Sequence, residues 1–229
     1  PSQDQVTPFR GAQLVGGALH RFDLTVDLDL DGHVDYLGGW ETDVHWHKNL
    51  GNGLVASSHV LLTSNFAQWA NFCSTDLDND GFADAVCFSG DKVLAILARP
   101  GGPVVHTTTI TAHATTPHLA DLPGDGEPEF VVSSSNGIQA YEFDPANNSF
   151  QLVFTQFSPV SQHFIADLDG NGTDEIWRYN ASWIWVMDID ATWNVAQTTL
   201  LPNTFSPEIM ATVGDVDGDG DTDLVLFED

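Results

Sequence analysis

The sequence predicts an all-β fold made of five similar units. Two observations predict it. First, one acidic pattern recurs: DLDLDGHVD at 27–35, DLDNDGFAD at 76–84, DLPGDGEPE at 121–129, DLDGNGTDE at 167–175 and DVDGDGDTD at 215–223. The starting points lie 49, 45, 46 and 48 residues apart. A fixed period in that range marks one supersecondary unit per repeat. Second, every copy is followed by a short strand-like run: DYLGGW, DAVCF, EFVVSS, EIWRY and DLVLF. Branched and aromatic residues bounded by turn residues read as strands.

The elements follow in order. Extended segments also precede each copy, as FDLTV, NFCST, PHLA, HFIA and IMATVG. Each acidic loop therefore joins the two strands of a hairpin. In the first unit the strand after the loop is the poorest, because Gly38 and Gly39 weaken it. The second unit has room for four strands: ANFCSTD, DAVCFSG, KVLAILAR and VVHTTTI. The third follows with PHLAD, EFVVSS, GIQAYEF and FQLVFTQ, and the fourth with HFIAD, EIWRY, WIWVMDI and VAQTTLL. Gly90, Gly101, Gly102, Gly137 and Asn147-Asn148 punctuate them. Four antiparallel strands per repeat of this length make a propeller blade. No helical periodicity competes, and no linker divides residues 1–229, so a single domain is expected. The fifth copy leaves room for only one strand after it. The stretch before Asp27 has the length to supply the missing outer strands. The expectation is a five-bladed β-propeller whose ring is closed by a composite blade from both termini, or by strand donation to a neighbouring copy.

The loop chemistry points to calcium. Hard oxygen atoms at alternate positions, around a glycine that allows a sharp bend, suit a hard divalent cation. The expected ligands of the first loop are Asp27, Asp29, Asp31, the backbone of His33, and Asp35. Those of the second are Asp76, Asp78, Asp80, the backbone of Phe82, and Asp84. The third offers Asp121, Asp125, Glu127 through its backbone, and Glu129. Pro123 stands where another ligand belongs, so this site is expected to be the weakest. The fourth offers Asp167, Asp169, Asn171, Thr173 through its backbone, and Glu175. The fifth offers Asp215, Asp217, Asp219, Asp221 through its backbone, and Asp223. Magnesium fits less well, since it keeps its waters. An EF-hand is excluded, because position twelve is Gly38, Cys87, Val132, Arg178 or Leu226 rather than glutamate. The second position is always apolar (Leu28, Leu77, Leu122, Leu168, Val216) and is expected under the hairpin, in the core.

Charge narrows the partners. With 33 Asp and Glu against 6 Lys and Arg, the formal net charge is −27. Such a field disfavours nucleic acid and anionic membrane surfaces. No apolar run reaches the length that spans a bilayer. Calcium loops without tight-buffer features suit an extracellular setting, and the chain begins at Pro1, as a processed secreted chain would. Cys73 and Cys87 flank the second loop symmetrically. In a hairpin that symmetry predicts a cross-strand disulfide, geometry permitting. N-x-S/T sequons stand at Asn147, Asn171 and Asn180.

No catalytic constellation rises above background. The paired carboxylates are accounted for by the metal loops. Asp43, His45 and His47 alternate on one strand face, as transition-metal ligands or as an exposed polar face. His118 and His163 precede their loops on inner strands. Of the seven tryptophans, most read as packing between blades. Trp69, in a connecting loop, is the candidate for an exposed ligand platform.

The DxDxDGxxD loop followed by an apolar strand resembles the FG-GAP/VCBS family of calcium-loop propeller repeats, and the resemblance spans all five copies. Such repeats occur in integrin α-chain propellers, propeller lectins and many secreted bacterial proteins. The resemblance implies a binding module with lectin-like recognition of a glycan or an extracellular protein. The alternatives are a structural subunit that associates through strand edges and, further off, a polysaccharide-degrading propeller enzyme.

Overall fold

A computed structural model describes residues 24–40, 42–51, 60–63, 71–110, 117–134, 137–157, 162–179, 183–202, 210–218 and 223–227. The described residues contain no helix, and none of them forms a helix long and apolar enough to cross a membrane.

The first sheet holds β1 (Leu24–Val26), β2 (Asp35–Trp40), β3 (Asp43–His47) and β4 (Val60–Thr63). The second holds β5 (Asn71–Thr75), β6 (Asp84–Ser89), β7 (Lys92–Leu97) and β8 (Val104–Thr109). The third holds β9 (Pro117–Ala120), β10 (Glu129–Ser134), β11 (Gly137–Asp144) and β12 (Ser149–Phe157). The fourth holds β13 (Gln162–Ala166), β14 (Glu175–Tyr179), β15 (Trp183–Ile189) and β16 (Val195–Pro202). The fifth pairs β17 (Met210–Gly214) with β18 (Asp223–Phe227). Every sheet is an antiparallel meander in chain order. The strands read from the second, third and fourth units all form. Gly38 and Gly39 do not prevent β2, which pairs with β3 from Tyr36 to Trp40.

The sheets stack face to face in the order of the chain. Val26, Leu28, Leu37, Val44 and Trp46 of the first unit pack on Ala85, Cys87, Leu94 and Ile96 of the second. The other face of the second sheet, with Val86, Phe88, Val93 and Ala95, packs on Phe130, Val132, Tyr141 and Phe143. The third sheet turns Val131, Ile138 and Ala140 toward Ile176, Met187 and Ile189 of the fourth. The period-two alternation of β6 therefore feeds two cores, and all six of its residues are buried. The first strands β1, β5, β9, β13 and β17 are neighbours in that order. This is a propeller-like arrangement, with the loops after the first strands gathered at one end of them.

Phe130 is the best-packed large side chain between the second and third sheets. It is fully buried, with ring centroids of Phe88 and Phe150 at 5.6 and 5.8 Å. Phe130→Ala is expected to destabilise the fold by about 3–5 kcal/mol, through lost burial and the cavity left behind. Urea denaturation followed by tryptophan fluorescence measures it.

The cysteine expectation is corrected by the register. The second hairpin closes on Thr75 opposite Asp84, so Cys73 faces Val86 and Cys87 faces Phe72. The two thiols are one step out of phase and point to opposite faces. Cys73 packs against the core between the second and third sheets, Cys87 in the one between the first and second. Both are free. Counting symmetrically about the loop put Asp76 opposite Asp84, whereas position nine pairs with the residue before position one. Burial pushes the Cys73 thiol up to about 12, where little thiolate exists to react. Two alkylatable thiols are expected by mass spectrometry after unfolding without reductant, and slow labelling before it.

Candidate metal centres

Four of the acidic loops are described throughout, and they share one internal scaffold. The first-position Asp accepts two backbone N–H groups across the loop. Asp27 takes those of Asp31 at 3.2 Å and Gly32 at 2.8 Å; Asp76 takes those of Asp80 at 3.1 Å and Gly81 at 2.8 Å. Asp121 and Asp167 repeat the pattern with Gly126 and Gly172, each at 2.8 Å. The sixth-position glycines have φ between +87° and +89°, a region closed to most side chains. Gly220, the fifth copy's equivalent, lies outside the described residues.

The fourth position has the same need, which the sequence reading missed. Gly124, Gly170 and Gly218 take φ of +73°, +72° and +82° there, and Asn79 and Leu30 take +56° and +57°. The signal was present, since three of five copies place glycine at that position.

The ninth position is the first residue of the following strand. Asp35, Asp84, Glu129 and Glu175 are all buried. Each accepts the N–H of the apolar second-position residue: Leu28 at 3.2 Å, Leu77 at 3.0 Å, Leu122 at 3.0 Å and Leu168 at 3.1 Å. Asp35 also takes the N–H of Asn49 and the indole N–H of Trp46, both at 2.8 Å, and Asp84 takes the N–H of Ala98 at 2.7 Å. This residue thus braces the loop against the third strand as well as facing the metal position. Burial pushes Asp84 up to about 6 and Glu129 up to about 8, and also raises Asp35 and Glu175.

Second-position burial holds for Leu28, Leu77 and Leu122, while Leu168 is half-buried. Val216 departs from the expectation and is 68% exposed. Its sheet has two strands among the described residues.

Three loops bring carboxylates together: Asp27, Asp29 and Asp35; Asp76, Asp78 and Asp84; Asp167, Asp169 and Glu175. In each, one oxygen from every residue lies within 4.8 Å of the others. The loop at Asp121, with Pro123 at position three, forms no such group among the described residues. Position five stands apart. The side chains of Asp31, Asp80, Asp125 and Asn171 each accept the N–H of position seven, from His33, Phe82, Glu127 and Thr173 respectively. In the fifth loop Asp215 and Asp217 are exposed. Asp219 and Asp221 lie outside the described residues, as does the side chain of Asp223.

These donors fit a hard cation on an observation independent of their sequence. Asp29 Oδ1, Asp78 Oδ1 and Glu175 Oε1 are buried carboxylate oxygens without a hydrogen-bond partner, one in each converging group. A buried anionic oxygen left unpaired is costly, and a cation at that point removes the cost.

Neighbouring loops touch. The Arg99 N–H donates to the Leu28 carbonyl at 3.1 Å, and the Asn79 amide to Glu127 at 2.7 Å. Asp174 exchanges two hydrogen bonds of 2.9 Å with the backbone of Asp121. A Cβ on Gly124 would come within 2.5 Å of Thr173 Oγ1, so the third and fourth loops approach backbone to side chain.

The other sequence candidates fall elsewhere. His45 and His47 are buried in β3, with ring centroids 6.5 Å apart, so the face they share with Asp43 is not an exposed polar one. They join no metal-binding group among the described residues. His118 is half-buried in β9, and burial lowers its pKa. Trp177 stacks on Phe164 at 5.6 Å, and the Arg178 guanidinium lies 5.7 Å from the Trp185 ring. These contacts are packing within one sheet. Trp69, Asn180 and the side chain of His163 lie outside the described residues. Asn147 is exposed in the β11–β12 turn.

Comparison with known proteins agrees with this geometry. Residues 27–87 match the family of FG-GAP-like repeats. No curated protein sequence matches the chain. Among solved structures, an Agrocybe aegerita lectin that recognises non-reducing terminal N-acetylglucosamine is similar over 94% of this chain, with 22% identity and a TM-score of 0.65. The chain spans 63% of that lectin's length. The Photorhabdus luminescens Tc holotoxin pore is similar over 89% of this chain and 10% of its own, with 19% identity and a TM-score of 0.50. At these identities the likeness is one of fold.

Proposed function

We propose that the chain is a secreted, calcium-stabilised β-propeller that acts as a lectin-like binding module rather than an enzyme. The observation that carries this reading is the fold shared with a glycan-recognising lectin over nearly the whole chain. The FG-GAP-like repeat and the three carboxylate groups with orphaned oxygens support the calcium part. Asp27, Asp29 and Asp35, Asp76, Asp78 and Asp84, and Asp167, Asp169 and Glu175 would hold the ions. When bound, calcium supplies no reaction here; it neutralises clustered carboxylates and fixes the loops. The ligand is a glycan or an extracellular protein. Glycans ending in N-acetylglucosamine are the first to test. A glycan array probed with the protein in millimolar calcium should show selective binding. A blank array, with the protein folded, removes the lectin reading.

The blade count belongs to the same proposal. Five sheets in sequence, the last with two described strands, support a five-bladed single domain whose final blade is completed from the N-terminal residues. Deleting residues 1–20 should lower stability or promote association. An unchanged, monomeric truncation removes the composite blade. A second reading, left open by a fifth sheet with two strands among the described residues, is a structural subunit joined through strand edges. Negative-stain microscopy showing filaments of the intact protein would favour it.

A further inference from the structure

Carboxylate count alone ranks the loops at Asp27 and Asp76 above the loop at Asp167, where Asn171 replaces an aspartate. The surroundings of the loops reverse that order. Only six Lys and Arg occur in the chain, and two of them sit in acidic loops. The Lys48 ammonium bonds Asp29 Oδ2 and lies 2.7 Å from Asp31 Oδ2. The Arg99 guanidinium bonds Asp78 Oδ2 and lies 2.9 Å from Asp80 Oδ2. In both loops a base thus holds the third- and fifth-position carboxylates together. The two bases reach in from different positions. Lys48 directly follows β3, and Arg99 lies two residues beyond β7. The ninth-position carboxylates of these loops are also satisfied, each oxygen by protein N–H groups.

The loop at Asp167 differs on each point. No Lys or Arg forms an ion pair with it among the described residues. Glu175 is 3% exposed and spends one oxygen on the Leu168 N–H. Its other oxygen is buried and unpartnered. Asp188 adds a further negative charge. It follows Met187, the cross-strand partner of Ile176, and lies within electrostatic reach of Asp169 and Glu175.

We infer that Lys48 and Arg99 are built-in counter-cations of the first two loops, and that the loop at Asp167 is the tightest calcium site among the three converging groups. This rests on the calcium reading above. A divalent cation entering the Asp27 or Asp76 loop meets a like charge already bound to two of its carboxylates, and must displace it. One entering the Asp167 loop pairs an orphaned oxygen, as it would in the other two loops, but meets no resident cation that it must displace. The first two loops consequently keep their shape at low calcium, and the fourth is the one that responds first.

Calcium titration calorimetry on the full chain tests this, using the parent and the variants Lys48→Gln, Arg99→Gln and Asp188→Asn. The parent should show one tight class of site and weaker ones. Lys48→Gln and Arg99→Gln should each tighten a weaker class by about tenfold or more, because a like charge leaves the site. Asp188→Asn should weaken the tight class alone. Tryptophan-sensitised terbium emission takes in the Asp27 loop through Trp46, whose indole N–H lies 2.8 Å from Asp35. Its midpoint should fall in Lys48→Gln. Should Arg99→Gln not fold, Lys48→Gln carries the same comparison in the other loop. Calcium affinities and a terbium midpoint unmoved by Lys48→Gln overturn the inference and leave the calcium reading standing. A parent that takes up neither ion overturns both.

Discussion

Removing calcium is expected to lower the melting temperature by roughly 5–10 °C for each site that had been held about a hundredfold above its Kd. Several loops acting together make this the largest effect on the molecule. The cause is mass action on top of charge. The native state gathers carboxylates at Asp27, Asp29 and Asp35 and again at two further loops, and the unfolded chain spreads them apart. A cation that binds only the gathered form stabilises it. Differential scanning fluorimetry in EDTA, then with calcium restored in excess, measures the effect. Magnesium at the same concentration should restore less, because it gives up its waters reluctantly. A melt that ignores EDTA would remove calcium from the account of this fold.

The second large effect is an inverted pH dependence in the metal-free protein. Burial pushes Glu129 up to about 8 and Asp84 up to about 6. These folded values lie above those of the unfolded chain, so the native state binds more protons between them. Stability is then fully present below about pH 4 and falls as pH rises through the folded values. For Glu129 the loss extends to about pH 8. In EDTA the protein should melt higher at pH 5 than at pH 8, by several degrees or more. Calcium should reverse the slope, because the ion competes with protons for the same oxygens. Glu129→Gln should flatten the EDTA profile. An EDTA profile that rises toward pH 8 would show that these carboxylates ionise freely in the native state.

Much of this was legible in the sequence because the period of the acidic pattern and the strand alternation agree. The strands of the second, third and fourth units follow from runs such as KVLAIL and GIQAYEF, which need no tertiary information to be extended. The sixth-position glycines announce their φ. The pairing of Cys73 did not follow, because a loop's symmetry and a hairpin's register differ by one residue, and only the backbone hydrogen bonds decide between them. The second role of Asp35 and Asp84 was hidden for a similar reason. Their donors Asn49 and Ala98 are 14 residues away in sequence, so no local pattern reveals them. Lys48 and Arg99 were invisible as loop residues because they arrive from the far end of the third strand. Burial of His45 and His47 follows from β3 being covered on both faces, which alternation alone cannot show.

The two-sided burial of the middle sheets bears on how such a chain can be divided. The second sheet sends Ala85 and Cys87 one way and Val86 and Phe88 the other. Cutting the chain at repeat boundaries would therefore strip a sheet of both its partners and leave two apolar faces in water. The smallest part that carries a core of its own is two adjacent sheets, because alternate residues of one strand serve opposite cores. A chimera that exchanges neighbouring repeats together keeps the core between them with the residues that evolved beside it. One that exchanges a single repeat must rebuild a core on either side.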